Sequence, residues 1–209
     1  MKKSMTLTYE VGAGLYINLT NRCTNRCEFC IRNNDDGAYG SDSLWLEREP
    51  TVSEVLASVF SRDVAGYDEI VFCGYGEPTV RIHELCEIAE EIKNRYPSVK
   101  IRLNTNGHAA LIHGEGVEKL LCGKVDVVSV SLNTPSPEKY VEICHPVYKE
   151  KAFSALISFT ENVKKYVQKT LLSVVREALT EEELDECRKI ADSLGVTLRV
   201  RDYISAENG

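Results

Sequence analysis

Residues 15–30 read Leu15-Tyr16-Ile17-Asn18-Leu19-Thr20-Asn21-Arg22-Cys23-Thr24-Asn25-Arg26-Cys27-Glu28-Phe29-Cys30, a short strand that runs directly into three cysteines. Leu15 to Leu19 form a first strand, and the chain then presents C-x3-C-x2-C with an aromatic residue, Phe29, just before the third cysteine. A polar loop rich in Asn, Asp and Gly follows from Asn33 to Ser43. It carries no apolar period.

The pattern of strand, loaded loop and helix then repeats. Thr51 and Glu54 have the spacing of a capping box, and Val52, Val55, Leu56, Val59 and Phe60 recur on one helical face. Ile70 to Cys73 make a second strand that ends in Gly74-Tyr75-Gly76-Glu77-Pro78. Leu85, Ile88, Ala89 and Ile92 give a second helix, stopped by Pro97. Strand three covers Val99 to Asn104, and a short helix spans Val117 to Leu121. Strand four is Val125 to Leu132, after which Ser136-Pro137 opens a helix. A helix over Phe153 to Val163 leads to strand five, Thr170 to Val175. Thr180 and Glu183 repeat the capping-box spacing, Gly195 ends that helix, and strand six is Val196 to Tyr203.

Six strands separated by helices predict an α/β fold with a parallel sheet and right-handed crossovers. An open doubly wound sheet and a barrel both satisfy this pattern, while a closed (β/α)8 barrel asks for eight strands and about 250 residues. In either case function belongs at the carboxyl ends of the strands, where the informative residues fall. The 209 residues suit one domain, 1–209, with no internal repeat or linker.

Composition narrows the class. At 43% hydrophobic and 27% charged, the chain is ordinary for a globular protein, and no stretch approaches the length of a membrane span. The start, Met1-Lys2-Lys3-Ser4-Met5-Thr6-Leu7-Thr8, lacks the apolar region of a signal peptide, so a cytoplasmic protein with no membrane partner is expected. A net charge of −7 argues against broad nucleic-acid binding. Eight cysteines without a secretory signal point to metal ligands or catalytic groups rather than disulfides.

Cys23, Cys27 and Cys30 are the candidate metal ligands. Three thiolates on one short loop can fold around three corners of an iron–sulfur cubane and leave one iron open. A structural zinc site wants four ligands, usually as two pairs, and no second Cys-x2-Cys appears. With Phe29 in place, the sequence resembles the radical S-adenosylmethionine (SAM) superfamily, whose signature is C-x3-C-x-aromatic-C after the first strand of a partial (β/α)6 barrel. The resemblance implies a [4Fe-4S] cluster on these cysteines and SAM bound at the open iron. It further implies reductive cleavage of SAM to methionine and a 5′-deoxyadenosyl radical that abstracts hydrogen. A reductant such as flavodoxin or ferredoxin is implied as well.

The remaining candidate cofactor-binding residues follow from the same resemblance. Gly74, Tyr75, Gly76 and Glu77 look like the family's Gly-Gly-Glu-Pro motif, with Tyr75 departing from it; a glycine admits close backbone approach, and a carboxylate can accept from SAM's ammonium. Ser131 and Asn133, two apart at the end of strand four, are expected on one side of it. By resemblance, Ser131 and Asn133 contact the SAM carboxylate or ribose, Asn104 and Asn106 lie in a Thr-Asn-Gly turn, and Val175 with Arg176 meets adenine. Asn106-Gly107 also reads simply as a turn. Cys86, Cys122 and Cys187 are expected to be core residues, and Cys73 to be buried near the site. Trp45 is expected to anchor the polar loop by packing.

Within the superfamily the chain is similar to the TatD-associated radical SAM group, through Ile17 to Cys23, Leu44-Trp45-Leu46, Gly74 to Thr79 and Leu198-Arg199-Val200-Arg201-Asp202-Tyr203. No substrate follows from that likeness. Hydrogen abstraction from a small molecule, or from a protein as in glycyl-radical activating enzymes, are the two enzymatic expectations. A non-catalytic metal or iron–sulfur module is the alternative from another class.

Overall fold

The computed structural model, described over residues 2–202, contains all six expected strands, mutually parallel, with a seventh ahead of them. They are β1 (Thr8–Val11), β2 (Gly14–Ile17), β3 (Glu69–Phe72), β4 (Lys100–Thr105), β5 (Val127–Ser131), β6 (Lys169–Val175) and β7 (Thr197–Arg201). Their order in the sheet is their order in the chain. A doubly wound sheet reverses its order at a switch point, whereas a barrel wall does not. The sequential order therefore selects the barrel, and β1 and β7 stand at opposite ends of it, so the wall is partial and open.

The additional strand corrects the expectation of an all-parallel sheet. β1 runs antiparallel to β2 through a two-residue turn, with Tyr9 opposite Tyr16. Gly12 takes φ 56° in that turn, a conformation that tight hairpins require and glycine accepts without strain. The final expected strand stops at Arg201; Tyr203 lies outside the described residues.

The helices are α1 (Val52–Phe60), α2 (Ile82–Arg95), α3 (Ala109–His113), α4 (Pro137–Cys144), α5 (Lys151–Val163) and α6 (Glu181–Leu194). Both predicted capping boxes form, at Thr51 with Glu54 and at Thr180 with Glu183, each contributing about 1 kcal/mol. Ser136 caps α4 by accepting from the Lys139 backbone, and Gly195 closes α6 at φ 64°. The segment Val117–Leu121 forms a 3-10 helix rather than an α-helix, and α3 was not expected. Among the described residues no helix is long and apolar enough to cross a membrane.

Strand alternation divides the sheet into two unlike faces. Ile17, Phe72, Leu103, Val128, Leu172 and their neighbours point outward and are fully buried against the helices in the main core. The inner face carries Tyr16, Arg102, Asn104, Ser129, Ser131 and Ser173 instead. A small second apolar cluster of Tyr9, Ala38, Leu44 and Tyr75 closes part of that side. The outside is thus largely apolar, while the inside is mixed, its polar residues standing among Val71, Val127, Leu171 and Val175.

Candidate active site

The loops after β2, β3 and β4 form one hydrogen-bonded rim. Asn106 donates through Nδ2 to Thr24 Oγ1 at 2.7 Å and lies 3.9 Å from Cys23 Sγ. Glu77, buried at the end of the β3 loop, accepts from Asn106 N at 2.7 Å, Thr105 Oγ1 at 2.7 Å, Thr79 Oγ1 at 2.6 Å and Thr79 N at 3.0 Å. Burial pushes the Glu77 carboxyl upward, and these donors hold it back. Its carboxylate is thus engaged within the rim, where the sequence suggested an acceptor for a ligand's ammonium.

The two glycines of this loop are demanded by the chain itself. A Cβ on Gly76 would stand 2.2 Å from the Thr20 carbonyl oxygen, and one on Gly74 would stand 2.2 Å from Asn18 Oδ1. Close approach is therefore to the segment leading into the cysteines. Tyr75, between them, is buried and turns toward the polar loop, donating to the carbonyls of Asp35 at 2.9 Å and Gly37 at 2.7 Å. Trp45 meets it edge-on at 5.2 Å, so the expected anchoring of that loop by packing is found.

The cysteine loop is pinned to the end of α4. Arg26 N donates to Cys144 O, Glu28 N to Ile143 O, and Val147 N to Thr24 O, at 2.9–3.0 Å. Behind it lies a buried network: Thr24 Oγ1 meets His108 Nδ1 at 2.9 Å, His108 Nε2 lies 3.3 Å from the Tyr140 hydroxyl, and Asn25 donates to that hydroxyl at 2.9 Å. Thr24 accepts from Asn106, and its own proton is free to be donated to Nδ1. Burial depresses His108 to about 4, keeping it neutral. Sequence reading missed this network; the signal was a run of polar residues, Thr24 and Asn25, between two cysteines.

Cys23, Cys27 and Cys30 are free and half-buried. Burial raises Cys23 to about 12 and raises Cys30, while contact with Cys144, followed by burial, raises Cys27. The Arg32 guanidinium opposes the shift at all three. Thiols of this kind are inert when free and become thiolates on binding metal. Among the described residues no three metal-ligating side chains converge tightly enough to share a single ion. A cubane distributes its thiolates over separate irons, so three unpaired thiols on one loop fit a cluster better than a zinc ion. Phe29 is partly buried and packs against the main core beside them.

Other expected positions disperse. Ser131 ends β5 on the inner face, partly exposed. Asn133 has left the strand at φ 65°, and its amide donates to Cys144 Sγ at 3.4 Å, so the alternation that would align it with Ser131 does not extend to it. Asn104 faces inward and accepts from Arg102 at 2.9 Å. Val175 ends β6, buried, whereas Arg176 is exposed and pairs with Glu181 at 2.7 Å. Cys73 is half-buried rather than buried; Cys86 and Cys187 are buried as expected, but Cys122 is exposed because its 3-10 helix ends before it.

Comparison with known proteins places these features in context. The sequence matches the family described as the radical SAM superfamily over residues 17–191. GTP 3′,8-cyclase of Clostridium perfringens (strain SM101 / Type A) is 26% identical over 93% of this chain and 56% of its own length. The tungsten-containing aldehyde ferredoxin oxidoreductase cofactor-modifying protein of Pyrococcus furiosus is 27% identical over 87% of this chain and 49% of its own. The chain thus spans about half the length of the curated relatives it matches. SuiB of Streptococcus suis, bound to its precursor peptide SuiA, shares the fold with a TM-score of 0.68 at 15% identity, covering 94% of this chain and 40% of its own.

Proposed function

The chain belongs to the radical SAM superfamily, and from that premise we propose that Cys23, Cys27 and Cys30 hold its [4Fe-4S] cluster, with SAM bound beside them at the carboxyl ends of β2 to β6. The observation that carries this reading is the rim itself: Cys23, Asn106 and Glu77, from three different loops, belong to one hydrogen-bonded unit. Superfamily members are enzymes whose cofactors are a [4Fe-4S] cluster and SAM. When bound, the reduced cluster supplies the electron that cleaves SAM to methionine and a 5′-deoxyadenosyl radical, which abstracts hydrogen from a substrate.

The chain's own residues supply position and enclosure. Glu77 fixes the loops after β3 and β4 relative to each other, and Asn106 with Thr24 fixes the cysteine loop to them. Gly74 and Gly76 let the β3 loop lie directly against the strand-to-cysteine segment, which keeps the rim narrow. Ser131, on the inner face, offers a hydroxyl to SAM's polar groups, and Val175 offers an apolar edge to adenine. Arg32 favours the thiolate form of all three cysteines.

Residues 1–209 serve, in this reading, as the radical SAM core domain, with flavodoxin or ferredoxin as the class of reductant. The names of the relatives favour a small-molecule substrate in cofactor biosynthesis over a protein substrate. The likeness to the TatD-associated group rests on sequence stretches alone and stays compatible with that choice. The test is anaerobic reconstitution with iron and sulfide, reduction, addition of SAM, and chromatography for 5′-deoxyadenosine. Cluster-dependent 5′-deoxyadenosine, absent in Cys27→Ala, is the expected outcome; a reducible cluster that neither binds nor cleaves SAM would leave the non-catalytic module as the reading.

A further inference from the structure

The inner face of the sheet is rich in arginine and poor in carboxylate. Leu198 packs against the main core, so its neighbours on β7, Arg199 and then Arg201, project to the opposite face. The register confirms this: Arg199 pairs with Ser173, which pairs with Ser131, and Arg201 pairs with Val175. Arg102 occupies the same face on β4. Glu10 and Glu69 are the only carboxylates in the seven strands, and Glu10 is held on the other side by Tyr67. Glu69 is taken up by Arg102, through two hydrogen bonds of 3.0 and 2.6 Å.

On this face, among the described residues, Arg199 and Arg201 are left without a carboxylate. Arg199 stands exposed at the open edge. Arg201 lies deeper, and its Nε is buried without a hydrogen-bond partner. Burial lowers its affinity for its own proton; Cys73 opposes that shift, the charge of Arg199 adds to it, Tyr39 opposes it again, and Arg102 adds the smallest share. A guanidinium remains charged under such pressure and presents a planar fork that matches phosphate and carboxylate. Tyr39, held at φ 54° in the polar loop, lies within electrostatic reach of both arginines.

We infer that Arg199 and Arg201 form an oxyanion subsite on the inner face of the sheet, and that the substrate carries a phosphate or a carboxylate that this subsite holds. The inference rests on the proposed reading in one respect, that the inner face is the substrate side. It adds the charge of the substrate and the residues that read it. A bound oxyanion would supply the partner that Arg201 lacks and would orient the substrate from the β7 end of the wall, opposite the cysteine loop at the β2 end.

The test is calorimetric titration of inorganic phosphate, and separately of glutarate, into the anaerobically reconstituted protein saturated with SAM. One of the two is expected to bind with salt-sensitive affinity, and which one identifies the anion. Arg199→Gln and Arg201→Gln should each weaken that binding about tenfold or more, the loss of a charge-assisted hydrogen bond, with Arg201→Lys between them and the wild type. SAM affinity should stay unchanged. Arg201→Gln should melt at or above the wild-type temperature, because it removes a cation that has no partner. Failure of both anions to bind, or equal binding by both Gln variants, would overturn the subsite. A parallel fall in SAM affinity would assign the arginines to the cofactor's carboxylate, and a lower melting temperature restored by Arg201→Lys would make Arg201 structural. Should the protein fail to bind SAM at all, the proposed function fails, and the same titrations without SAM still decide the subsite.

Discussion

The buried carboxylate of Glu77 accepts the backbone N–H of Asn106 at 2.7 Å and so locks the loop after β3 to the loop after β4. Three further donors from Thr79 and Thr105 converge on the same carboxylate. Glu77→Gln replaces one acceptor oxygen with an NH2 that faces donors, which should cost about 1–3 kcal/mol. Urea denaturation reads that loss. SAM binding should weaken in the same variant while iron content stays intact. A Gln variant as stable as the wild type, with unchanged SAM affinity, would remove Glu77 from the account of the rim.

Cys27 and Cys144 lie in contact, yet they are expected to play different parts. Cys144 is fully buried and accepts from Asn133, whereas Cys27 is half-buried on the cysteine loop. After anaerobic reconstitution, Cys27→Ala should retain little iron and sulfide, and Cys144→Ala should match the wild type. Equal loss in both variants would make Cys144 a ligand.

The sequence displayed the outer architecture well because its signals are local. Capping residues such as Thr51 and Thr180, and the stop at Gly195, depend on neighbours a turn away, and they appear where expected. The cysteine triad was legible for the same reason. Roles that depend on distant partners were hidden. Nothing near Glu77 reveals that Asn106 lies against it, and nothing near Tyr75 reveals that it ties down Asp35 and Gly37. Asn133 was misaligned because the strand ends at Ser131, two residues earlier, where period-two reasoning ceases to apply. The first strand escaped notice because Tyr9 finds its partners away from its own strand, in Tyr16 across the hairpin and in the Cys73 carbonyl after β3.

Gly76 is fixed by backbone rather than by a ligand. An added Cβ would meet the carbonyl oxygens of Thr20 at 2.2 Å and Arg22 at 2.6 Å, neither of which can swing aside as a side chain would. Gly76→Ala should therefore destabilise by about 1–3 kcal/mol, as overpacking does, and should widen the rim. Thermal unfolding of the apoprotein isolates the packing effect from cofactor loss. An unchanged melting temperature would contradict the contact geometry.

His108 gives the fold a pH dependence of definite sign. Burial lowers its pKa from the ordinary 6.5 to about 4, because the ring is enclosed by Thr24 and Tyr140 and has no carboxylate beside it. Below the ordinary value the unfolded chain takes up a proton that the folded chain refuses, so the unfolded state binds more protons and stability falls as pH falls. The contribution is fully present above pH 6.5 and is lost progressively toward pH 4, at about 1.4 kcal/mol per pH unit, roughly 3 kcal/mol in all. Urea midpoints measured between those limits should fall more steeply in the wild type than in His108→Gln, which cannot titrate. Parallel slopes in the two proteins would mean that the ring reaches solvent or is already protonated in the fold, and that the neutral bridge between Thr24 and Tyr140 is not what braces the cysteine loop.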